Sequence, residues 1–176
     1  MTSNKIITNR NKILEVVKQD GAALEYASDS LKADREVVLE AVKQDGNALE
    51  YASDSLKADR EVVLEAVKNL GQKLWHERRY DVFEYASDSL KADREVVLEV
   101  VKLDGDTLQE VSKELQNDKD IVMAAVKHSG NALEYASENL KNDKEVVLEA
   151  VKSDERAMVF ASKNLKSDKD IKSVIS

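Results

Sequence analysis

The sequence predicts an all-α fold, an α-solenoid of about six helix-turn-helix repeats of 25 residues with polar capping ends. The first observation behind this prediction is a duplication, because residues 49–68 copy residues 24–43 letter for letter. The second is that apolar residues within the copy recur at helical spacing. The third is composition: the 176-residue chain has no proline, and it is 42% hydrophobic and 35% charged, which favours repeated helices over a sheet.

The repeats are aligned on one leucine, which opens the segment LKADREVV in the best-preserved copies. Neighbouring copies are 25 residues apart except for one step of 34, so one repeat carries an insertion of nine residues at 72–80. We expect residues 1–176 to form a single helical repeat array. The repeats are numbered first to sixth and begin near Ile6, Leu31, Leu56, Leu90, Leu115 and Leu140, and a partial repeat begins near Leu165.

An aspartate precedes the longer helix of each repeat. Asp34 is a good N-cap, because a short side-chain acceptor satisfies backbone N–H groups that have no partner within the helix. The acid two residues later suits the positive end of the helix dipole. In the helix of about 11–12 residues that follows, Val38, Leu39, Ala41 and Val42 predict one broad apolar face. The aspartate recurs at Asp59, Asp93, Asp118, Asp143 and Asp168.

Glycine marks the end of this helix, since all five glycines of the chain fall at the same place in the repeat. This position predicts a left-handed residue just after the helix, where glycine avoids the Cβ penalty. Because Glu155 stands there in the sixth repeat, its turn is predicted to differ or to be strained. A second, shorter helix is predicted from Asn47 to about Ser53, with Leu56 in the loop after it. The glycines are Gly21, Gly46, Gly71, Gly105 and Gly130.

Stacking between repeats must supply the stability, because the few apolar side chains of one repeat do not offset the entropy lost on ordering its backbone. The two ends of the sequence fit this interpretation. Lys12 stands where the second repeat has Val37, and Lys172 and Ser173 stand at the equivalents of Val38 and Leu39. Polar residues are expected where no neighbouring repeat covers the surface.

Composition also limits the classes of function. The absence of cysteine excludes disulfides, thiolate metal sites and a cysteine nucleophile. The net charge of −8 disfavours direct binding to nucleic acid. The first residues lack a signal-peptide pattern and no segment is apolar enough to span a bilayer, so we expect no membrane association. We expect a cytoplasmic protein, or one delivered into a host cell, an alternative that the sequence leaves open.

No enzymatic site is predicted, and no cofactor or metal. A serine recurs in every full repeat, but no histidine recurs to act as its base, so we interpret these serines as capping and loop residues. The segment that contains His76 lacks the second histidine of an HExxH zinc site. His128 is predicted to be a solvated side chain at a helix end. The serines are Ser28, Ser53, Ser87, Ser112, Ser137 and Ser162.

The repeat LKADREVVLEAVKQDGNALEYAS, with its AVK-x-x-G and YAS elements, resembles the tandem repeats of the family catalogued as domain of unknown function 4116. The resemblance covers roughly Ile6 to Val174 and implies an all-helical repeat fold without implying an activity. The chain departs from the pattern at the insertion, at Glu155 in place of glycine, and at residues 110–112 in place of YAS. We expect these departures to affect the local geometry of the repeats and to leave the fold unchanged.

The insertion QKLWHERRY is the least repetitive part of the chain and contains its only tryptophan. Tryptophan, tyrosine and arginine are the residue types most enriched in binding hot spots. We therefore predict a partner-binding site here, with Tyr51 and Tyr85 beside it. The alternative is that the apolar residues extend a helix and the arginines are solvated. The candidate partner-binding residues are Trp75, His76, Arg78, Arg79, Tyr80, Tyr51 and Tyr85.

Stacked repeats are also expected to align equivalent side chains in rows, roughly 10 Å apart. One acidic ladder contains Glu15, Glu40, Glu65, Glu99 and Glu149, and a second contains Glu25, Glu50, Glu84 and Glu134. An aromatic row contains Tyr26, Tyr51, Tyr85, Tyr135 and Phe160. The acidic rows are either solvated helix faces or a surface for a basic partner. The aromatic row either packs between repeats or forms a stacking platform.

Two functions remain open at this point. The first is a non-enzymatic protein–protein interaction module or scaffold, because solenoids present extended surfaces to other proteins. The second is an acidic decoy that imitates a nucleic acid and inhibits a nucleic-acid-binding protein, such as a nuclease or a defence effector. The sequence does not identify the partner protein.

Overall fold

The structure is a computed structural model that describes residues 6–70 and 82–174. The described residues form helices and no strand, apart from one isolated parallel bridge between Ile7 and Ala27. The chain divides into two compact units, Met1–Leu90 and Lys91–Ser176. The all-α solenoid predicted from the sequence is confirmed.

Two kinds of α-helix alternate along most of the chain, a longer one and a single turn. In chain order the α-helices are α1 (Arg10–Val17), α2 (Asp29–Lys32), α3 (Arg35–Gln44), α4 (Asp54–Lys57), α5 (Arg60–Leu70), α6 (Asp88–Lys91), α7 (Arg94–Leu103), α8 (Lys119–His128), α9 (Glu138–Lys141), α10 (Lys144–Ser153) and α11 (Lys169–Val174). The 3-10 helices are Gly21–Tyr26, Gly46–Tyr51, Val82–Tyr85, Gly105–Glu110, Leu115–Asn117, Gly130–Tyr135, Glu155–Phe160 and Leu165–Ser167.

The second repeat contains three helices, where the sequence predicted two. Its single-turn helix α2 leads into α3, which is followed by the 3-10 helix Gly46–Tyr51. The predicted second α-helix is therefore a 3-10 helix of six residues. A segment this short completes its backbone hydrogen bonds in the tighter i→i+3 pattern. Leu56, predicted to lie in a loop, belongs to the single-turn helix α4 of the next repeat.

The buried face of α3 differs by one residue from the prediction. Val37, Val38, Ala41 and Val42 are fully buried, whereas Leu39 is only half-buried. The buried residues form two adjacent pairs, one helical turn apart, that face the core. Leu39 lies on the outer side of the helix. The same half-buried position is occupied by Leu14, Leu64, Leu98, Met123 and Leu148.

The glycines have a different role from the predicted left-handed helix end, because no described glycine has a positive φ. Gly130 instead lies under the longer helix of the following repeat. A Cβ on Gly130 would lie 2.4 Å from the carbonyl oxygen of Ala150, and a Cβ on Gly21 would lie 2.4 Å from that of Ala41. Glycine is required because two neighbouring repeats approach too closely for any side chain.

The turn at Glu155 is the same as in the other repeats, so the prediction of a different or strained turn is wrong. Asp154 is extended and its side chain accepts a hydrogen bond from the amide of Arg156, as Asp45 accepts one from Asn47. Glu155 itself is exposed. By the repeat offset, the residue that would face Glu155 is residue 175, which lies outside the described residues.

A backbone hydrogen bond at the recurring serine brings the two ends of each repeat together. The serine precedes the short helix that opens the next repeat, and its amide donates to a carbonyl near the start of its own repeat. In the first unit the amide of Ser53 donates to the carbonyl of Lys32 at 3.0 Å. In the second unit the amide of Ser137 donates to the carbonyl of Gln116 at 2.9 Å. The equivalent pairs are Ser28 to Ile7, Ser87 to Lys57, Ser112 to Lys91 and Ser162 to Lys141. The polar residues at the predicted capping positions, Lys12, Lys172 and Ser173, are all exposed.

We predict that Gly130→Ala lowers the free energy of unfolding by about 1–3 kcal/mol, because the added methyl group forces the fifth and sixth repeats apart. Chemical denaturation followed by circular dichroism measures this change. Glu155→Ala is the matched control at the same place in the sixth repeat and is expected to change stability by less than about 0.5 kcal/mol. Equal effects of the two substitutions would contradict the close-approach explanation.

Candidate interaction surfaces

The predicted partner-binding residues divide into two groups. Trp75, His76, Arg78, Arg79 and Tyr80 lie outside the described residues. Tyr51 and Tyr85 are both half-buried, each at the last position of a 3-10 helix.

The 3-10 helices of the first unit carry a repeated pair of residues, an exposed glutamate followed by a half-buried tyrosine. Burial raises the pKa of Tyr51, and the neighbouring charges of Glu50 and Glu25 raise it further. The 3-10 helices Gly21–Tyr26 and Gly46–Tyr51 pack against each other, so the residues of the first and second repeats lie side by side. We call this surface the tyrosine face, and it consists of Glu25, Tyr26, Glu50, Tyr51, Glu84 and Tyr85.

The second unit changes this pattern. Only Glu134 and Tyr135 repeat the glutamate–tyrosine pair, and the sixth repeat has Val159 and Phe160 instead, with Val159 62% exposed. An open recess of about 380 Å³ lies beside Tyr135. Its lining is mixed in charge and consists of Lys113, Gln116, Glu134, Tyr135, Ala136, Ser137, Glu138 and Lys141.

The predicted acidic ladder on the longer helices is only partly exposed. Glu40, Glu65 and Glu149 are half-buried, and Glu99 is exposed. Lys43 donates to Glu40 at 3.2 Å on the same helix, which neutralises that member of the ladder. In the fifth repeat the ladder is interrupted, because Ala124 occupies the equivalent position.

A second set of charges, which the sequence interpretation missed, connects the longer helices of consecutive repeats. Arg35, the first residue of α3, donates to Asp59 at 2.8 Å and also to Glu61. In the second unit Arg94 donates to Asp118 and Asp120, both at 2.7 Å. We call these contacts the cross-repeat ion pairs. The others join Arg10 to Asp34 and Glu36, Lys119 to Asp143 and Glu145, and Lys144 to Asp168 and Asp170.

The aspartates in these pairs also cap their helices, as predicted. The Asp34 carboxylate accepts hydrogen bonds from the amides of Glu36 and Val37. The Arg10 guanidinium holds the pKa of Asp34 below its ordinary value of 3.8, and the capping amides lower it further. Arg35 lowers the pKa of Asp59 in the same way. The same carboxylate therefore caps the N-terminus of its helix and binds a base of the preceding repeat.

A signal for the ion pairs was present in the sequence. A base stands at the first position of each longer helix. In the cross-repeat ion pairs, the N-cap acid of the next copy follows this base by 24 residues, and the acid at the second helical position follows it by 26. In stacked repeats these three side chains are neighbours. The capping interpretation already explained the acids, so the recurring base was left without a role.

Contacts between repeats also occur at the opposite ends of the longer helices. Asn69 donates to the carbonyl of Lys43 at 2.5 Å and accepts from the amide of Gly46 at 3.3 Å. His128, predicted to be simply solvated, accepts from the amide of Gly105 at 3.1 Å through Nδ1. Because Nδ1 is the acceptor, the neutral imidazole carries its proton on Nε2.

Most of the recurring serines make hydrogen bonds through their hydroxyl groups, either to a residue two positions later or to one about 20 residues earlier in the chain. The Ser53 hydroxyl lies 2.9 Å from that of Ser55, and Ser137 donates to Asn117 at 2.6 Å. These contacts fit the predicted loop role of the serines. No group of three or more side chains able to hold a metal ion occurs in the described parts of the chain. Over the same residues, no helix has both the length and the apolar character needed to cross a membrane.

Comparison with known families matches the chain to the family described as Domain of unknown function (DUF4116). The match consists of five overlapping tandem segments, residues 9–57, 34–91, 59–116, 93–141 and 143–172. Searches of curated proteins and of solved structures gave no match.

We predict that stability decreases as the pH falls below about 4, because the paired aspartates have a lower pKa in the folded chain than their ordinary value of 3.8. The unfolded chain then takes up protons first, so the contribution of the ion pairs is full above this pH and is lost as the pH falls through the folded pKa. Thermal unfolding between pH 2 and pH 7 measures the slope. Asp59→Asn keeps a capping side chain but removes the charge, so its acid dependence should be weaker than that of the wild type.

We predict that His128→Ala lowers the free energy of unfolding by about 1 kcal/mol, because the amide of the buried Gly105 loses its acceptor. His128→Asn should recover part of this loss, since Asn69 makes the equivalent contact with Gly46. Urea denaturation at neutral pH compares the two variants. If they are equally destabilised, the hydrogen bond is not the stabilising contact.

Proposed function

We propose that this chain, which belongs to the DUF4116 family of tandem repeats, is a non-enzymatic module that binds another protein. Its tyrosine face is the surface that best supports the proposal. The partner would present a basic segment to this face.

The observation that carries the proposal is the cluster around Tyr51. Glu25 and Glu50 are exposed and make no ion pair among the described residues, while the rings of Tyr26 and Tyr51 are half-buried. Carboxylates attract a lysine or arginine, and a tyrosine ring adds a cation–π contact. A half-buried ring is held in place by packing, so binding restricts it little further.

The repeat geometry also indicates the spacing of basic residues in the partner. Packed helices are spaced roughly 10 Å apart, and an extended peptide rises ~3.3 Å per residue. A basic side chain at about every third residue would therefore meet one glutamate–tyrosine pair of each repeat. Several weak contacts of this kind add up to a specific interaction because they are held on one scaffold.

The insertion belongs to the same proposal. It follows α5 and precedes the 3-10 helix Val82–Tyr85, whose last residue is part of the tyrosine face. Trp75, His76, Arg78, Arg79 and Tyr80 are thus candidate contacts for the same partner. Combined replacement of Trp75, Arg78 and Arg79 by alanine should weaken a cognate complex without unfolding the repeats.

The acidic decoy is the second candidate, and the exposed glutamates of the tyrosine face favour it. A decoy needs an array of uncompensated negative charges, and many acids at the helix starts are already bound by Arg10, Arg35, Arg94, Lys119 or Lys144. We therefore rank protein binding first. Competition with DNA or RNA for one partner protein would favour the decoy.

We predict that a labelled peptide with arginine at every third residue binds the chain, as measured by fluorescence anisotropy. The double variant Glu25→Gln, Glu50→Gln should bind about tenfold more weakly, equivalent to ~1.4 kcal/mol. Glu36→Gln is the control, because this exposed acid lies outside the face and pairs with Arg10. Equal affinities of the wild type and the double variant would reject the tyrosine face as the binding surface.

A further inference from the structure

The fifth repeat departs from the others on the outer side of its longer helix. Helix α8 has Ala124 where the other repeats have the glutamate of the acidic ladder, and His128 where the second repeat has Gln44. Met123 also replaces the leucine of the other copies. These substitutions lie together, on one side of α8 and at its C-terminal end.

A groove lies between α7 and α8 at this point. It has a volume of about 420 Å³ and is open to solvent. Leu98 and Ala124 form its apolar middle, with Asp120 at one end and the cationic side chains at the other. The groove is lined by Leu98, Lys102, Asp120, Ala124, Lys127 and His128.

The two ends of the groove differ in net charge. Asp120 is already bound by Arg94 at 2.7 Å, so its charge is compensated. In the second repeat Lys43 is bound by Glu40, but Ala124 removes the equivalent acid one turn before Lys127. Within the described parts of the chain, neither Lys102 nor Lys127 makes an ion pair. The C-terminal end of the groove therefore carries two uncompensated positive charges.

His128 adds a hydrogen-bond donor to the same end. Its Nδ1 accepts from the amide of Gly105, which leaves the proton on Nε2 of the exposed ring. Lys102, Lys127 and the imidazole N–H together form a site suited to a carboxylate.

We infer that the groove between α7 and α8 binds an acidic amphipathic helix of a partner protein. One apolar side chain of that helix lies on Leu98 and Ala124, and a carboxylate one turn later reaches Lys102 and Lys127. The match follows from the groove itself, whose apolar middle and cationic end are also one helical turn apart, ~5.4 Å along α8.

A second copy of this chain fits the groove poorly. The outer leucine of its longer helices is followed one turn later by lysine, as in Leu39 and Lys43 or Leu64 and Lys68. Such a helix would place lysine against Lys102 and Lys127. A nucleic acid fits poorly too, because the middle of the groove is apolar and its other end contains Asp120.

This inference rests on the proposed role in protein binding, but it uses a different surface and a partner of opposite charge. The tyrosine face lies in the first unit, and the groove lies in the second. A basic peptide tests the first surface and an acidic helix tests the second, so failure of one leaves the other unaffected.

The test uses the full chain and a labelled synthetic helix in which leucine and glutamate stand one turn apart. The central variant is Ala124→Glu. Glutamate stands at this position in the other five full repeats and is a good helix former, so the variant is expected to fold. Added glutamate fills the groove and pairs with Lys127. We expect about tenfold weaker binding by fluorescence anisotropy for Ala124→Glu and for Lys127→Ala. Lys43→Ala, the matched control in the first unit, should bind as tightly as the wild type.

A second helix with glutamine in place of glutamate should bind about tenfold more weakly to the wild type. The inference is overturned if both synthetic helices bind equally, if neither binds, or if Ala124→Glu leaves the affinity unchanged. Self-association that is lost in Ala124→Glu, measured by sedimentation, would assign the groove to a second copy instead. Binding of a DNA duplex that is lost in the same variant would assign it to nucleic acid.

Discussion

The close approach of the 3-10 helices that begin at Gly21, Gly105 and Gly130 to the longer helix of the next repeat is the constraint on which the described structure depends. Gly21, Gly105 and Gly130 each lie under an alanine carbonyl of the following repeat, at a distance that excludes any Cβ. This approach brings the valines and alanines of adjacent longer helices into contact and buries them fully. It also brings the N-terminal aspartate of one helix within reach of the base that begins the preceding one.

Many residues of each repeat are therefore occupied by contacts with the neighbouring repeats. Five bases at the helix starts, which look like part of a surface of mixed charge in the sequence, are bound to acids of the next repeat. They are Arg10, Arg35, Arg94, Lys119 and Lys144. The two surfaces that we propose for partner binding lie elsewhere in the repeats. They are the tyrosine face in the first unit and the groove between α7 and α8 in the second, and they have opposite charge.

Much of the architecture could be predicted because it is local and repeated. Asp34 was correctly identified as an N-cap, since a short acceptor before an apolar helix has one favourable role. Leu39 was assigned to the wrong face, because adjacent apolar residues do not show where the buried stripe ends. The six residues Gly46–Tyr51 were assigned to an α-helix, because so short a segment does not separate a period of 3.0 from one of 3.6.

The sequence alone determined the helical class, the repeat length, the helix starts and the interruption of the acidic ladder at Ala124, because each of these is a pattern along one chain. Only the tertiary structure decided why glycine recurs and which acid each base binds. It also showed that the substitutions in α8 form one side of a groove. These features depend on atoms about one repeat apart in sequence, and such neighbours are fixed only when the repeats stack.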